Sequence, residues 1–497
     1  MGVDYPGRST AEYARPYFLI LDRQNPAVLV VHSKDRWSLP CIDNVPIRDL
    51  SYGTFESPIC QMLQRLLEEQ YGVDLPALFI LYRAHEEVVD CDGQKVLYEI
   101  TVLEAQGLSS LSAEALWVTK DNVDAIKLTE TPEGTRAIVK NLFCRDPNEH
   151  EKHRLPWAKP GWFRKAQIWT SKVLDGEKQE NVHSINPRRG MTATRVAEIK
   201  TEKQAYFFKA VHPASNEVRI TRWLSEISPE HIPKILGVSE ELNAMITEDF
   251  RRTHREGMWQ NRDKYAEVYQ SYARLQLRVI DYMKKHGVEE EIKRSVMTPM
   301  GVAKELEEVL NDEEMRKHMR EGVLVACQAQ YTTWVEMCSR LENSGVPCSV
   351  VNTDLRARNF ARARKTGESI IFDWGIGCIT HPFSNLHQLR DVKGVTEAHV
   401  ESYLSLWTRY VPDMKELKRM ERLCRWFSHG LRAVQACREA RVCECEIELA
   451  VSPVGRTDRD RLFRMSALHL ERMKDTTQDN VYASSPARTD ALQNRCS

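Results

Sequence analysis

The sequence predicts an α+β protein: an N-terminal α/β domain, then a small strand-rich lobe that runs into a larger helical lobe. Three observations carry this prediction. Short apolar and β-branched runs with two interspersed helical patterns fill residues 17–145. Strand patterns return over about 180–250, and helical periodicities then dominate about 258–345 and 395–445. At 497 residues, with roughly 100–200 residues per domain, the chain has room for two to four domains.

Residues 1–16 read as an N-terminal tail. In the first domain, Phe18–Leu21, Ala27–Val31, Leu78–Tyr82 and Val96–Leu103 read as strands. Ser57 and Pro58 can open a helix carrying Ile59, Met62, Leu63, Leu66 and Leu67, and Thr131-Pro132-Glu133 opens a second. The polar, proline-bearing stretch 146–161 reads as a linker. Trp162, Phe163, Ala166 and Trp169 continue it, to 169, as an amphipathic latch helix. Within 170–250, Val182–Ile185, Thr194–Ile199, Ala205–Val211 and Ala244–Thr247 read as strands, with a helix at about Ser215–Ile227. The helical lobe spans 251–475 and holds two short strands, Ser349–Val351 and Ser369–Phe372. Residues 476–497 are polar and read as a disordered tail.

Composition narrows the function. Lys+Arg 70 against Asp+Glu 71 gives a net charge of −1, so no global field favours nucleic acid as partner. The longest apolar runs reach about five residues where a spanning helix needs about 20, so no membrane span is expected. The N-terminus lacks the basic and apolar regions of a secretory signal. The 13 cysteines are odd in number and scattered through apparent core segments, which reads as reduced thiols in a cytoplasmic protein; Cys443 and Cys445 have no second close pair to complete a metal site. Oligomeric state is not legible.

The stretch that carries chemistry is Val350-Val351-Asn352-Thr353-Asp354-Leu355-Arg356-Ala357-Arg358-Asn359-Phe360, followed nineteen residues after Asp354 by Asp373 in Ile371-Phe372-Asp373-Trp374. Each acid emerges where an apolar strand gives way to a loop. Phosphoryl transfer needs one carboxylate to accept the attacking hydroxyl's proton, and hard oxygen ligands to hold Mg²⁺ against phosphate. Asp354 suits the first role, Asn359 and Asp373 the second. The alternative for these residues is turn hydrogen bonding and strand capping.

Here the chain resembles the aminoglycoside phosphotransferase/choline kinase-like family, whose pattern is His-Gly-Asp-x4-Asn followed by Ile-Asp-Trp. The resemblance implies a bilobal protein-kinase-like fold, ATP and Mg²⁺ as cofactors, Asp354 as catalytic base and Asn359 and Asp373 as metal ligands. Asn352 stands where that family has His, and Pro382-Phe383-Ser384-Asn385-Leu386 replaces its acidic anchor. Lys209 sits alone in the apolar strand Ala205–Val211, where a charge is costly unless it meets an anion. The resemblance makes it the phosphate-binding lysine and Glu217, eight residues on, its partner. Asn186–Thr192 reads as a loop whose backbone around Gly190 could cover phosphates or form an ordinary hairpin turn. Glu248 and Phe250 fall where the family has its interlobe hinge, against adenine.

Residues 17–145 resemble a Nudix domain through Trp37-Ser38-Leu39-Pro40 and Leu116-Trp117-Val118. Registering its helix on Arg65 and Gly72 leaves Glu69 in place but puts Leu66 and Gln70 where metal-binding carboxylates belong. Pyrophosphate hydrolysis needs converging carboxylates, so this domain is expected to be non-catalytic. The expected function is a small-molecule kinase phosphorylating a hydroxyl or amine. A nucleotide-binding pseudokinase and a Nudix hydrolase are the alternatives. The basic run Arg356, Arg358, Arg362, Arg364 and Lys365 is either a solvated face or a device that steers an anionic substrate or ATP.

Overall fold

The computed structural model describes strands and one helix between residues 13 and 122, most of 162–442, and a helical segment within 463–473. The expected second helix from Thr131, the linker 146–161, Arg364, Lys365, the Cys443/Cys445 pair and the tail 476–497 lie outside the described residues. The chain is α+β and divides into two compact units. One takes in residues up to Pro213 with Leu236–Thr247 and Cys445–Thr457; the other takes in Ala214–Ile235, Glu248–Glu444 and the rest.

In the first unit, β1 (Tyr13–Asp22), β2 (Ala27–Ser33), β3 (Arg36–Ser38), β4 (Val45–Pro46), β5 (Ala77–Val89), β6 (Lys95–Gln106) and β7 (Ala115–Thr119) form a seven-stranded sheet, with α1 (Pro58–Tyr71) between β4 and β5. The path is β3-β2-β1-β6-β5, with β1 and β6 parallel. β1 begins at Tyr13, inside the stretch read as tail, because it pairs with β6 from Val96 onward. Phe18, Ile20, Val28–Val31, Leu39, Leu63, Leu67 and Val118 are buried there. On α1, Glu68, Glu69 and Gln70 are exposed while Leu63 and Leu67 are fully covered, as its apolar spacing requires.

The same unit holds α2 (Trp162–Lys178) and a second sheet in the order β11-β12-β10-β9-β8, made of β8 (Val182–Met191), β9 (Thr194–Thr201), β10 (Ala205–Val211), β11 (Ile235–Ser239) and β12 (Ala244–Glu248). Trp162, Ala166 and Leu174 of α2 share a core with Phe208, Ile199 and Ile246. The Trp162 and Trp169 rings meet Phe208 edge-on at 5.9 and 6.1 Å. The latch helix is therefore packed on this sheet, and it runs to Lys178, nine residues past its expected end.

The expected loop at Asn186–Thr192 is corrected. Asn186–Met191 belongs to β8, with Gly190 opposite Arg195, because β9 supplies a ladder partner almost to its start. Pro187, which has no N–H to donate, sits where the register shifts between Pro187 and Arg189.

The second unit is mainly helical: α3 (Glu217–Ile227), α4 (Tyr265–His286), α5 (Glu290–Lys293), α6 (Pro299–Asn311), α7 (Glu313–His318), α8 (Glu321–Glu342), α9 (His387–Arg390), α10 (Glu397–Leu404) and α11 (Met414–Val442). The boundary expected at 250 is shifted, because α3 packs Ile220, Trp223 and Leu224 into the core of this unit and its Trp223 ring meets Tyr282 of α4. Trp334, Trp374, Trp407, Tyr265, Tyr269, Tyr272, Tyr403, Phe360 and Phe383 are all fully buried there. Thr298 caps α6 by accepting the Gly301 N–H at 3.1 Å, ahead of Pro299 in its first turn. Among the described residues no helix is long and apolar enough to cross a membrane, and Cys327, Cys338, Cys348, Cys378, Cys424 and Cys437 are free thiols.

Two short antiparallel ladders position the candidate site. β13 (Ser349–Val351) pairs with β16 (Cys378–Thr380), and β14 (Phe360–Arg362) pairs with β15 (Ser369–Ile371). Buried Gln276 of α4 fixes the first: its Nε2 donates to Val350 O and Pro382 O at 3.0 Å, and its Oε1 accepts the Tyr403 hydroxyl at 2.6 Å. β14 and β16 escape the sequence reading because Phe360-Ala361-Arg362 and Cys378-Ile379-Thr380 lack the continuous apolar β-branched run that marks β13 and β15.

Candidate active site

β13 ends at Val351 and β15 at Ile371, so Asp354 and Asp373 each follow a buried strand by two or three residues. Asn352 ties the two strand ends together. Its Nδ2 donates to Phe372 O and Asp373 O, both at 3.2 Å, and its Oδ1 accepts the Asp354 N–H at 3.0 Å. Its own N–H donates to the Tyr272 hydroxyl at 3.1 Å. Burial of that phenol raises its pKa well above the usual value, so it stays a neutral donor and acceptor.

A short 3₁₀ turn, Ala357–Asn359, brings Asn359 back to Asp354. Asn359 Nδ2 donates to Asp354 O at 2.8 Å and lies 3.3 Å from Asp354 Oδ2. The backbone N–H of Phe372 donates to Asn359 O at 3.0 Å. Asp354, Asn359 and the Asp373 segment therefore belong to one hydrogen-bonded cluster. With its amide nitrogen committed to Asp354, Asn359 keeps Oδ1 as an oxygen ligand.

Asp373 has φ +65°, a left-handed conformation that non-glycine residues adopt rarely. The Asn352 amide on its carbonyl helps hold it there. Phe250, after β12, packs its ring 4.8 Å from Phe372. Glu248, the last residue of β12, takes Lys234 Nζ at 2.9 Å and donates its N–H to Lys234 O at 3.0 Å. Glu217 opens α3 and is buried, with Oε2 beside Gly375, two residues after Asp373: a Cβ at Gly375 would stand 3.4 Å from it. Lys209 lies in β10 of the other unit, half-buried between the buried Phe208 and Ala210. Gly190 lies in β8 of that unit.

The sequence reading named Arg356 and Arg358 but missed their pairing with Asp354. Arg356 Nε lies 2.7 Å from Oδ1 and Arg358 Nη2 3.2 Å from Oδ2, although both arginines are more than half exposed. A carboxylate offers about four lone-pair sites; two arginines and Asn359 use three, which leaves one open. Behind the loop, Arg432 Nη1 and Gln388 Nε2 donate to Thr353 O at 2.6 and 3.0 Å, and Gln435 Nε2 donates to Ile376 O at 3.0 Å. The one signal that could have singled out Arg432 is the argument applied to Lys209, a charge inside the apolar run Leu431–Val434.

No protein-family model matches the sequence, and no curated protein matches it. Among solved structures, a choline/ethanolamine kinase family protein from Mesorhizobium loti is similar at 13% identity and TM-score 0.42, over 65% of this chain and 96% of that one. Choline kinase LicA from Streptococcus pneumoniae is similar at 15% identity and TM-score 0.40, over 62% and 99%. A spectinomycin phosphotransferase in complex with ADP and spectinomycin is similar at 10% identity and TM-score 0.38, over 63% and 98%. These are the kinase groups that the two motifs resemble. At such scores the likenesses carry no weight for function, which is read below from the residues.

Proposed function

We propose that the chain is an ATP- and Mg²⁺-dependent phosphotransferase acting on a hydroxyl (or amine) of a small-molecule metabolite. The observation that carries this reading is the Asn352 bridge, which holds the Asp354 loop and the Asp373 segment together with Asn359 between them. Among the described residues no three His, Cys, Asp or Glu side chains converge as a metal cage. Mg²⁺ binds through one or two protein oxygens and completes its shell with substrate phosphates and water.

Bound Mg-ATP supplies the phosphoryl group and the divalent charge that offsets the phosphates. Asp373 and the Oδ1 of Asn359 would hold the metal. Asp354 takes the proton from the acceptor hydroxyl as its oxygen attacks the γ-phosphorus, the β–γ bridging P–O bond breaks, and ADP departs with that electron pair. Asn352 orients both acidic residues. Lys209, with Glu217 as its partner, is assigned to the α/β-phosphates, the Gly190 region to phosphate cover, and Glu248 and Phe250 to the adenine edge. The N-terminal sheet domain is proposed as a Nudix-like scaffold without hydrolase activity, and the setting as cytoplasmic.

The two arginines on Asp354 favour a second reading, a nucleotide-binding pseudokinase whose base is blocked. Purified full-length protein incubated with Mg-ATP and a library of alcohol and amine metabolites decides between them. The expected result is a product heavier by one phosphate that vanishes in Asp354→Asn while nucleotide still binds. Near-normal turnover by Asp354→Asn overturns the assigned base. Tight nucleotide binding without any product supports the pseudokinase.

A further inference from the structure

Arg432 is the most informative group that the proposed mechanism leaves unused. It is half-buried in the middle of α11, and among the described residues its one hydrogen bond is to Thr353 O and no carboxylate lies within ion-pair distance. A guanidinium carries five N–H donors and stays charged, and a buried charge without a counterion is costly. Burial pulls its pKa below the ordinary arginine value, against the attraction of Asp354 and Glu439.

Three histidines surround this cation. His387 and His429 rings lie 5.8 Å apart, and His429 and His469 rings 6.0 Å apart, on α9, α11 and the helical segment 465–473. Burial together with neighbouring positive charge, Arg432 included, pushes their pKa values down to about 3, 4 and 3. Of the acids nearby, Glu421 is taken up by Arg390 and Arg425, at 3.2 and 3.0 Å. The polar knot is also incomplete. The buried Nδ1 of His469 has no hydrogen-bond partner among the described residues.

We propose that the phosphate acceptor is an anion, and that its phosphate or carboxylate group binds Arg432 with His387, His429 and His469 beside Asp354. This rests on the kinase reading above and names the substrate class for it. Arg432 grips the carbonyl of Thr353, the residue before Asp354, so a ligand on Arg432 has its hydroxyls within a few bonds of the base. Arg356 and Arg358 form the outer wall. An incoming anion competes with Asp354 for them and frees lone pairs on the carboxylate. A cationic acceptor would meet repulsion from the three arginines.

Isothermal titration of the full chain with glycerol 3-phosphate, glycerate, glycerol and choline tests this, each with and without saturating Mg-AMP-PNP. The anions are expected to bind and glycerol and choline not to, with anion binding retained beside the nucleotide. Which of the two anions binds more tightly separates a phosphate from a carboxylate recogniser. His387→Gln with His469→Gln, and separately Arg432→Gln, are expected to weaken anion binding tenfold or more. Arg356→Ala with Arg358→Ala, at exposed positions unable to damage folding much, is expected to weaken it several-fold. Anions binding no better than glycerol, loss of their binding on adding Mg-AMP-PNP, or full affinity in all variants overturns the proposal. Failure of the kinase reading looks different: anion binding intact with no Mg-nucleotide binding at all, which removes the acceptor role.

Discussion

Asn352 donates one amide to the carbonyl of Asp373 while its oxygen receives the N–H of Asp354. One short side chain thus couples the two acids where the resembling family uses histidine. Asn352→Ala strips the donor from two carbonyls and the acceptor from one N–H in a fully buried place. The expected cost is about 1–3 kcal/mol of stability and a drop in kcat larger than any rise in KM for ATP. Chemical denaturation and steady-state kinetics read these separately.

Asp373→Gly should split stability from function. Glycine adopts φ +65° without the penalty that aspartate bears, so the variant should unfold at equal or higher denaturant than wild type. It should also lose Mg²⁺-dependent nucleotide binding. A destabilised variant would mean that the carboxylate is a structural capping group.

Gly430 lies in the middle of α11, where alanine would ordinarily favour the helix by about 1 kcal/mol. A Cβ there would overlap the buried Trp334 ring, with Cε2 and Cη2 at 3.0 Å. That ring is held by Trp426 edge-on and Phe427 stacked, at 6.1 and 6.0 Å, and has little room to move. Overpacking costs about 1–3 kcal/mol, so Gly430→Ala should lower the urea midpoint despite its better helix propensity.

Burial pushes the His381 pKa from its ordinary 6.5 down to about 3. The unfolded chain therefore binds a proton at this residue between those values and the folded chain does not. Stability is complete above about 6.5 and is lost as the pH falls toward about 3. Between pH ~7 and ~5.5, wild type should lose on the order of 1 kcal/mol more than His381→Gln, measured by urea denaturation at both values.

The local elements were legible where their periodicity is long: α1, α4, α8 and α11, and strands such as β9 and β10. The Asp354, Asn359 and Asp373 cluster was legible because all three lie within twenty residues, after short apolar runs that mark buried strands. What was hidden depends on distant partners. Tyr272, Gln388, Arg432 and Gln435 reach the loops around Asp354 and Asp373 from three separate helices or their ends, and no local pattern encodes such convergence. The extension of β8 past Asn186 was hidden because proline, arginine and glycine read as a turn, and only the β9 ladder makes them a strand. Packing of α3 with the helical unit follows from Trp223 and Ile220, whose partners are remote in sequence.

Asn359 and Asp373 are proposed to hold a divalent ion against a nucleotide's phosphates. Titration of full-length protein with AMP-PNP, with Mg²⁺ and with EDTA, tests it most directly in wild type, Asn359→Ala, Asp373→Ala and Asp354→Asn. The account predicts that Mg²⁺ strengthens binding tenfold or more in wild type and in Asp354→Asn, and that this gain disappears in the other two. Equal Mg²⁺ dependence in all four proteins would contradict it.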